Sequence, residues 1–184
     1  SFTTGPFCFH PTVPNPTFGF GVGAKWWPDE ESELYFAASL NDMNGDPHLQ
    51  GFDWSTVSGG EFFYGGEVGY YWKRDVDDFY HLHLLLFYAD ERSTRSPDTL
   101  PNKAGVGFRV FGSKQINRWV GFAGYTYNTA EGGGVTGTFS RNTATAGIAY
   151  KNPFKITGEA ALGLLYMDPI DELFGDDARN QYGT

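Results

Sequence analysis

Residues 80–88 read Tyr80–His81–Leu82–His83–Leu84–Leu85–Leu86–Phe87–Tyr88. Taken two at a time, Tyr80, Leu82, Leu84, Leu86 and Tyr88 share one face, and His81, His83, Leu85 and Phe87 share the other. Successive side chains of a pleated backbone point to opposite sides, so this alternation reads as a strand. The apolar stripe is bracketed by two tyrosines, while the opposite face mixes histidines with apolar residues.

The rest of the chain repeats this pattern. Residues 18–26 set Phe18, Phe20, Val22, Ala24 and Trp26 against Gly19, Gly21, Gly23 and Lys25. Residues 34–41 set Leu34, Phe36, Ala38 and Leu40 against Tyr35, Ala37, Ser39 and Asn41. Residues 62–73 set Phe62, Tyr64, Gly66, Val68, Tyr70 and Trp72 against Gly65, Glu67, Gly69, Tyr71 and Lys73. Residues 104–111 set Ala104, Val106, Phe108 and Val110 against Gly105, Gly107, Arg109 and Phe111. In 119–128, Trp119, Ala123, Tyr125 and Tyr127 are assigned to the apolar face; 143–150 and 156–166 complete the series, the last with Glu159 on its glycine-bearing face. The expectation is eight antiparallel strands, because Pro, Gly and β-forming residues interrupt nearly every window of helical length. Connections 28–31, 74–78, 113–118 and 151–155 are short, whereas 42–60, 90–103, 129–141 and 167–180 are long and polar. Residues 1–17 read as a Pro-rich lead-in, and 18–184 as a partial β-barrel domain.

Composition narrows the classes. The 184 residues are 18% aromatic and only 19% charged, the opposite of a disordered chain. The net charge of −9 argues against nucleic acid as a partner. One cysteine, Cys8, excludes an internal disulfide framework. No run of 18 apolar residues exists, so no transmembrane helix is expected. Mean hydropathy is −0.38, which says little about a membrane barrel, where half of each strand can face water. The chain has no initiating Met or signal segment at its start and reads as a mature fragment.

The placement of the aromatics separates a membrane barrel from a soluble one. From Tyr80 to Tyr88 is roughly 26 Å along a strand at ~3.3 Å per residue. At a ~40° tilt this becomes about 20 Å, near the ~25 Å apolar band of outer-membrane barrels. Tyr and Trp favour the headgroup level, and Phe18 with Trp26 repeats the bracketing. The opposite face carries Lys25, Glu67, Lys73, His81, His83, Arg109 and Glu159 in mid-strand, where charges of both signs need water or close partners. Short turns at one end with long loops at the other fit the same architecture.

The segment Gly60–Glu61–Phe62–Phe63–Tyr64–Gly65–Gly66–Glu67–Val68–Gly69–Tyr70 resembles the glycine-aromatic strand of the carbohydrate-selective outer-membrane porins, the OprB family. Phe18–Gly19–Phe20–Gly21–Val22–Gly23–Ala24, Leu34–Tyr35–Phe36–Ala37–Ala38 and Asn41–Asp42–Met43–Asn44–Gly45–Asp46–Pro47 resemble its strand–turn–strand–loop unit. Arg179–Asn180–Gln181–Tyr182–Gly183 is similar to the opening of one of its last strands. The resemblance implies a sixteen-stranded, sugar-conducting barrel in a Gram-negative outer membrane, with charges of both signs at its constriction. Eight strands are about half of these, so the chain is expected to form roughly its C-terminal half.

The candidate pore-lining and substrate residues are Lys25, Trp27, Tyr35, Glu67, Tyr71, His81, His83, Arg109 and Glu159. Trp27, Tyr35 and Tyr71 would stack on the apolar faces of sugars; Lys25, Glu67, Arg109 and Glu159 would bond their hydroxyl rims. The partners are then small carbohydrates and membrane lipid, with no cofactor and no catalysis. His81 and His83 could supply two metal ligands, but no third stands at a telling spacing, so they read as water-facing. Asp42, Asn44 and Asp46 lack the terminal bidentate Glu of a calcium loop and read as a polar turn. Glu67 and Glu159 read as lumen charges rather than a glycosidase pair, and Glu131–Gly132–Gly133–Gly134 as a loop rather than a phosphate cradle. Cys8 reads as an inert thiol. Two alternatives differ in class: a small closed eight-stranded membrane barrel with a structural role, and a soluble lectin-like β module.

Overall fold

The computed structural model describes residues 20–29, 33–43, 59–75, 78–91, 103–130, 140–152 and 158–169. They form one antiparallel sheet of eight strands in strict meander order. The strands are β1 (Gly21–Trp26), β2 (Leu34–Asp42), β3 (Phe62–Asp75), β4 (Asp78–Ala89), β5 (Gly105–Ile116), β6 (Trp119–Asn128), β7 (Ser140–Lys151) and β8 (Glu159–Pro169). Neighbours in sequence are neighbours in space throughout, and among the described residues no ladder joins β8 back to β1. The Pro-rich lead-in, Cys8, most of the long loops, the stretch 131–134 and the 179–183 segment lie outside the described residues.

The strand positions follow the alternation, with corrections at several boundaries: β3 runs on to Asp75 and β8 to Pro169, into stretches expected as connections. The segment 113–118 was expected as a connection because it is polar, but β5 continues through Ile116 and only residues 117–118 turn. Ile116 pairs directly with Trp119, and Asn117 takes a left-handed backbone (φ 53°), which Asn tolerates better than most side chains. The polar side chains of this stretch are strand residues with partners. Gln115 is fully buried, donates to the Asn117 carbonyl at 2.9 Å, and accepts from Lys151 Nζ at 2.5 Å. Lys114, on the opposite face, extends its ammonium over the Tyr80 ring, 4.4 Å from the centroid. β7 likewise starts earlier than expected, at Ser140, where a register shift is bridged by Ser140 Oγ, 2.6 Å from the Asn142 carbonyl and 3.0 Å from that of Asp168.

The two faces of the sheet are covered in the reverse of the soluble pattern. Leu82, Leu86, Val106, Leu162 and Leu164 are each more than half exposed, and Leu164 reaches 80%. On the other face the polar side chains of Gln115, Thr126, Asn128 and Thr143 are at most 1% exposed. A small apolar cluster of Met43, Phe63, Phe87, Ala89 and Ala130, with Leu85 against it, sits at the loop end. Large open apolar surfaces of this kind mark contact with a membrane or a partner. Aromatic pairs close the apolar face at both ends. Trp72 pairs with Tyr80 and Trp119 with Tyr150 near the short turns, with ring centroids 4.9 and 4.6 Å apart. Tyr64 pairs with Tyr88 at the loop end, with centroids 6.0 Å apart. Such directly opposed pairs contribute roughly 0.2–1 kcal/mol each to the sheet.

Candidate functional site

The polar face is built from cross-strand pairs of an aromatic ring with a glycine. Tyr35 pairs with Gly69, Phe87 with Gly107, Phe111 with Gly124 and Phe122 with Gly147. At each of these glycines a Cβ would run into the ring of its partner, so the ring lies flat across the neighbouring strand where any larger residue would stand. These glycines act as seats for the rings.

These seats order the rings into a continuous track. Trp27, just beyond β1, lies 6.0 Å from Tyr35 on β2, and Tyr35 lies 5.6 Å from Tyr71 on β3. Tyr71 stacks on His81 of β4 at 4.0 Å with only 3° between the planes. His81 meets His83 edge-on at 4.9 Å, His83 stacks on Phe111 of β5 at 5.5 Å, and Phe111 faces Phe122 of β6 at 6.3 Å.

A row of charge crosses the track. The registers place Lys25, Ala37, Glu67, Leu85, Arg109, Thr126, Thr143 and Met167 side by side across all eight strands. Lys25, Glu67 and Arg109 therefore stand on alternate strands, with backbones about 10 Å apart at ~4.8 Å per strand. Neither cation pairs with an acid among the described residues. Lys25 Nζ lies 3.6 Å from the Tyr35 ring centroid, and the Arg109 guanidinium carbon lies 5.2 Å from that of Phe111. The Glu67 carboxylate accepts a hydrogen bond from the Tyr35 hydroxyl. It also lies 3.9 Å from His83 Nδ1, a buried nitrogen with no hydrogen-bond partner among the described residues. Tyr35 Oη and His81 Nε2 are within hydrogen-bonding distance at 2.9 Å.

Eight of the nine nominated residues thus gather in one cluster: Lys25, Trp27, Tyr35, Glu67, Tyr71, His81, His83 and Arg109. Glu159 stands apart. It pairs in register with Lys151 at the turn end of β8, whereas the charge row crosses β8 at Met167. Eight residues along a strand are roughly 26 Å at ~3.3 Å each, far beyond the ~5–9.5 Å between the carboxyl groups of a glycosidase. Tyr35 also has a different place from the one expected. It is 1% exposed beneath Lys25 and beside Tyr71, so its ring face is covered by the lysine head group and not open for a sugar to stack on. Phe111 and Phe122 join the track without having been nominated; the glycine opposite each is the signal that finds them. Among the described residues no group of three or more His, Cys, Asp or Glu side chains is placed to hold a metal ion.

Comparison with known proteins gives no match, whether with family models, curated sequences or solved structures.

Proposed function

We propose that the chain forms part of an outer-membrane β-barrel that conducts sugars and small solutes by passive, carbohydrate-selective diffusion. The observation that carries this reading is the pairing of opposite faces: a ring-and-charge track on one side and an aromatic-bracketed apolar surface on the other. The apolar face is the side a bilayer would cover, and Tyr and Trp at its two ends match the headgroup levels. The track is the side water would wet. Trp27, Tyr71 and Phe111 offer ring faces to the C–H surfaces of a sugar, while Arg109, Lys25 and Glu67 offer charge-assisted hydrogen bonds to its hydroxyls. Selectivity in such a passage comes from width, lining groups and field, and each contact has to stay weak enough to release the solute.

The missing ladder between β8 and β1 among the described residues favours a larger barrel over a small closed one. The outward Trp and Tyr pairs favour a membrane protein over a lectin-like module, which would direct its sugar platforms to water and cover its apolar face. Planar-bilayer recording of the full-length protein tests the proposal: discrete conductance steps that sugars reduce in a saturable way are expected. Absence of conductance from correctly folded protein would remove it.

A further inference from the structure

The ammonium of Lys25 lies among three rings. Its Nζ is 3.6 Å from the centroid of Tyr35, 4.8 Å from that of Trp27 and 5.4 Å from that of Tyr71. The rings belong to β2, β3 and the residue just after β1, so the register of three strands builds this arrangement. Gly69 is part of it, because the Tyr35 ring can lie flat as the floor only where β3 carries no Cβ. The Tyr35 hydroxyl donates to Glu67. Donation to a carboxylate at its hydroxyl edge shifts electron density into the phenol ring, which strengthens the attraction of the ring's face for a cation above it. Aromatic rings converging on one point attract ammonium ions through their negative faces. Lys25 is exposed along its strand and forms no ion pair with a described acid, so the rings are its principal contacts.

We propose that Trp27, Tyr35 and Tyr71 form a binding subsite for organic ammonium ions, and that Lys25 is its internal occupant. A solute with a quaternary or protonated amino group, an amino sugar included, would take the place of the lysine head group, which is free to swing into water on its flexible stem. This site is independent of whether neutral sugars pass along the face.

Lys25→Ala empties the cage and leaves its walls in place. The test uses the full chain folded in a polyoxyethylene detergent, which carries neither ammonium nor sugar, with tetramethylammonium as the probe. Saturation-transfer NMR on the probe's methyl protons at constant ionic strength should show saturable binding to Lys25→Ala about tenfold tighter than to the unsubstituted chain. Adding Trp27→Leu should abolish that gain. Equal binding by Lys25→Ala and the unsubstituted chain, or binding that survives Trp27→Leu, would overturn the proposal. A second measurement needs no loss of the lysine. With the lysines reductively ¹³C-methylated, the Lys25 resonance, identified by its absence in Lys25→Arg, should be shifted upfield by ring currents and return toward the common lysine position in Trp27→Leu. A Lys25 resonance at the common position in the otherwise unsubstituted chain would also overturn it.

Discussion

The ring of Tyr35 lies flat across Gly69, its directly paired neighbour on β3, in the space a Cβ would fill. Its hydroxyl reaches Glu67 on the same strand as the glycine, and its upper surface carries the Lys25 ammonium. One glycine thus sets the height of a ring, the ring's hydroxyl meets a carboxylate, and the ring's face carries a cation.

Gly69→Ala should therefore act as an overpacking substitution, costing about 1–3 kcal/mol. Gly66, three residues earlier on β3, has nothing within 4 Å of its Cβ position, so Gly66→Ala should be neutral or slightly stabilising. Urea titration of the two variants folded in lipid vesicles checks the contrast. Equal costs would mean that the ring seat contributes nothing.

Depth in the bilayer makes a second prediction. Leu84 lies midway along β4, between Tyr80 and Tyr88 on the apolar face. Leu84→Arg should cost roughly 2–4 kcal/mol and Tyr88→Arg only about 0–1 kcal/mol, following the fall in arginine cost from midplane to interface. The same titration in vesicles measures both. Equal costs would contradict lipid contact on this face.

The tight turn after β5 makes a third. Asn117 sits in the left-handed region at φ 53°, so Asn117→Gly should fold as well as the parent, while Asn117→Val should lose about 1–2 kcal/mol. Unfolding midpoints in urea provide the comparison, and a tolerated valine would show that the turn can re-form otherwise.

Short turns are expected on the inner side of an outer-membrane barrel, which gives a fourth prediction. In a Cys8→Ser background, Arg118→Cys should resist a membrane-impermeant maleimide on intact cells and react once the outer membrane is permeabilised. Labelling on intact cells would reverse the topology.

Strand positions and face parity were legible in the sequence because both depend on a period of two within single segments. Leu82, Leu84 and Leu86 identify their face whatever lies beside them. The boundary of β5 was harder to read, since Ser113, Lys114 and Gln115 have turn-like composition, and only Lys151 and Tyr80 on other strands give Gln115 and Lys114 their strand partners. The charge row was half legible. Parity put Lys25, Glu67, Arg109 and Glu159 on one face, but their positions along it depend on cross-strand register, which placed three in one row and Glu159 at the turn end. The ring track was hidden for the same reason: Phe111 and Phe122 gain meaning only beside Gly124 and Gly147.

If the ring-and-charge face lines a wet passage for sugars, liposome swelling by the full-length protein will discriminate along a series of sugars of increasing size. Arg109 stacks on Phe111 and pairs with no described acid, so Arg109→Ala should leave the sheet folded while changing the relative swelling rates along the series. Identical rates for the parent and for Arg109→Ala, Lys25→Ala and Glu67→Ala alike would contradict the account.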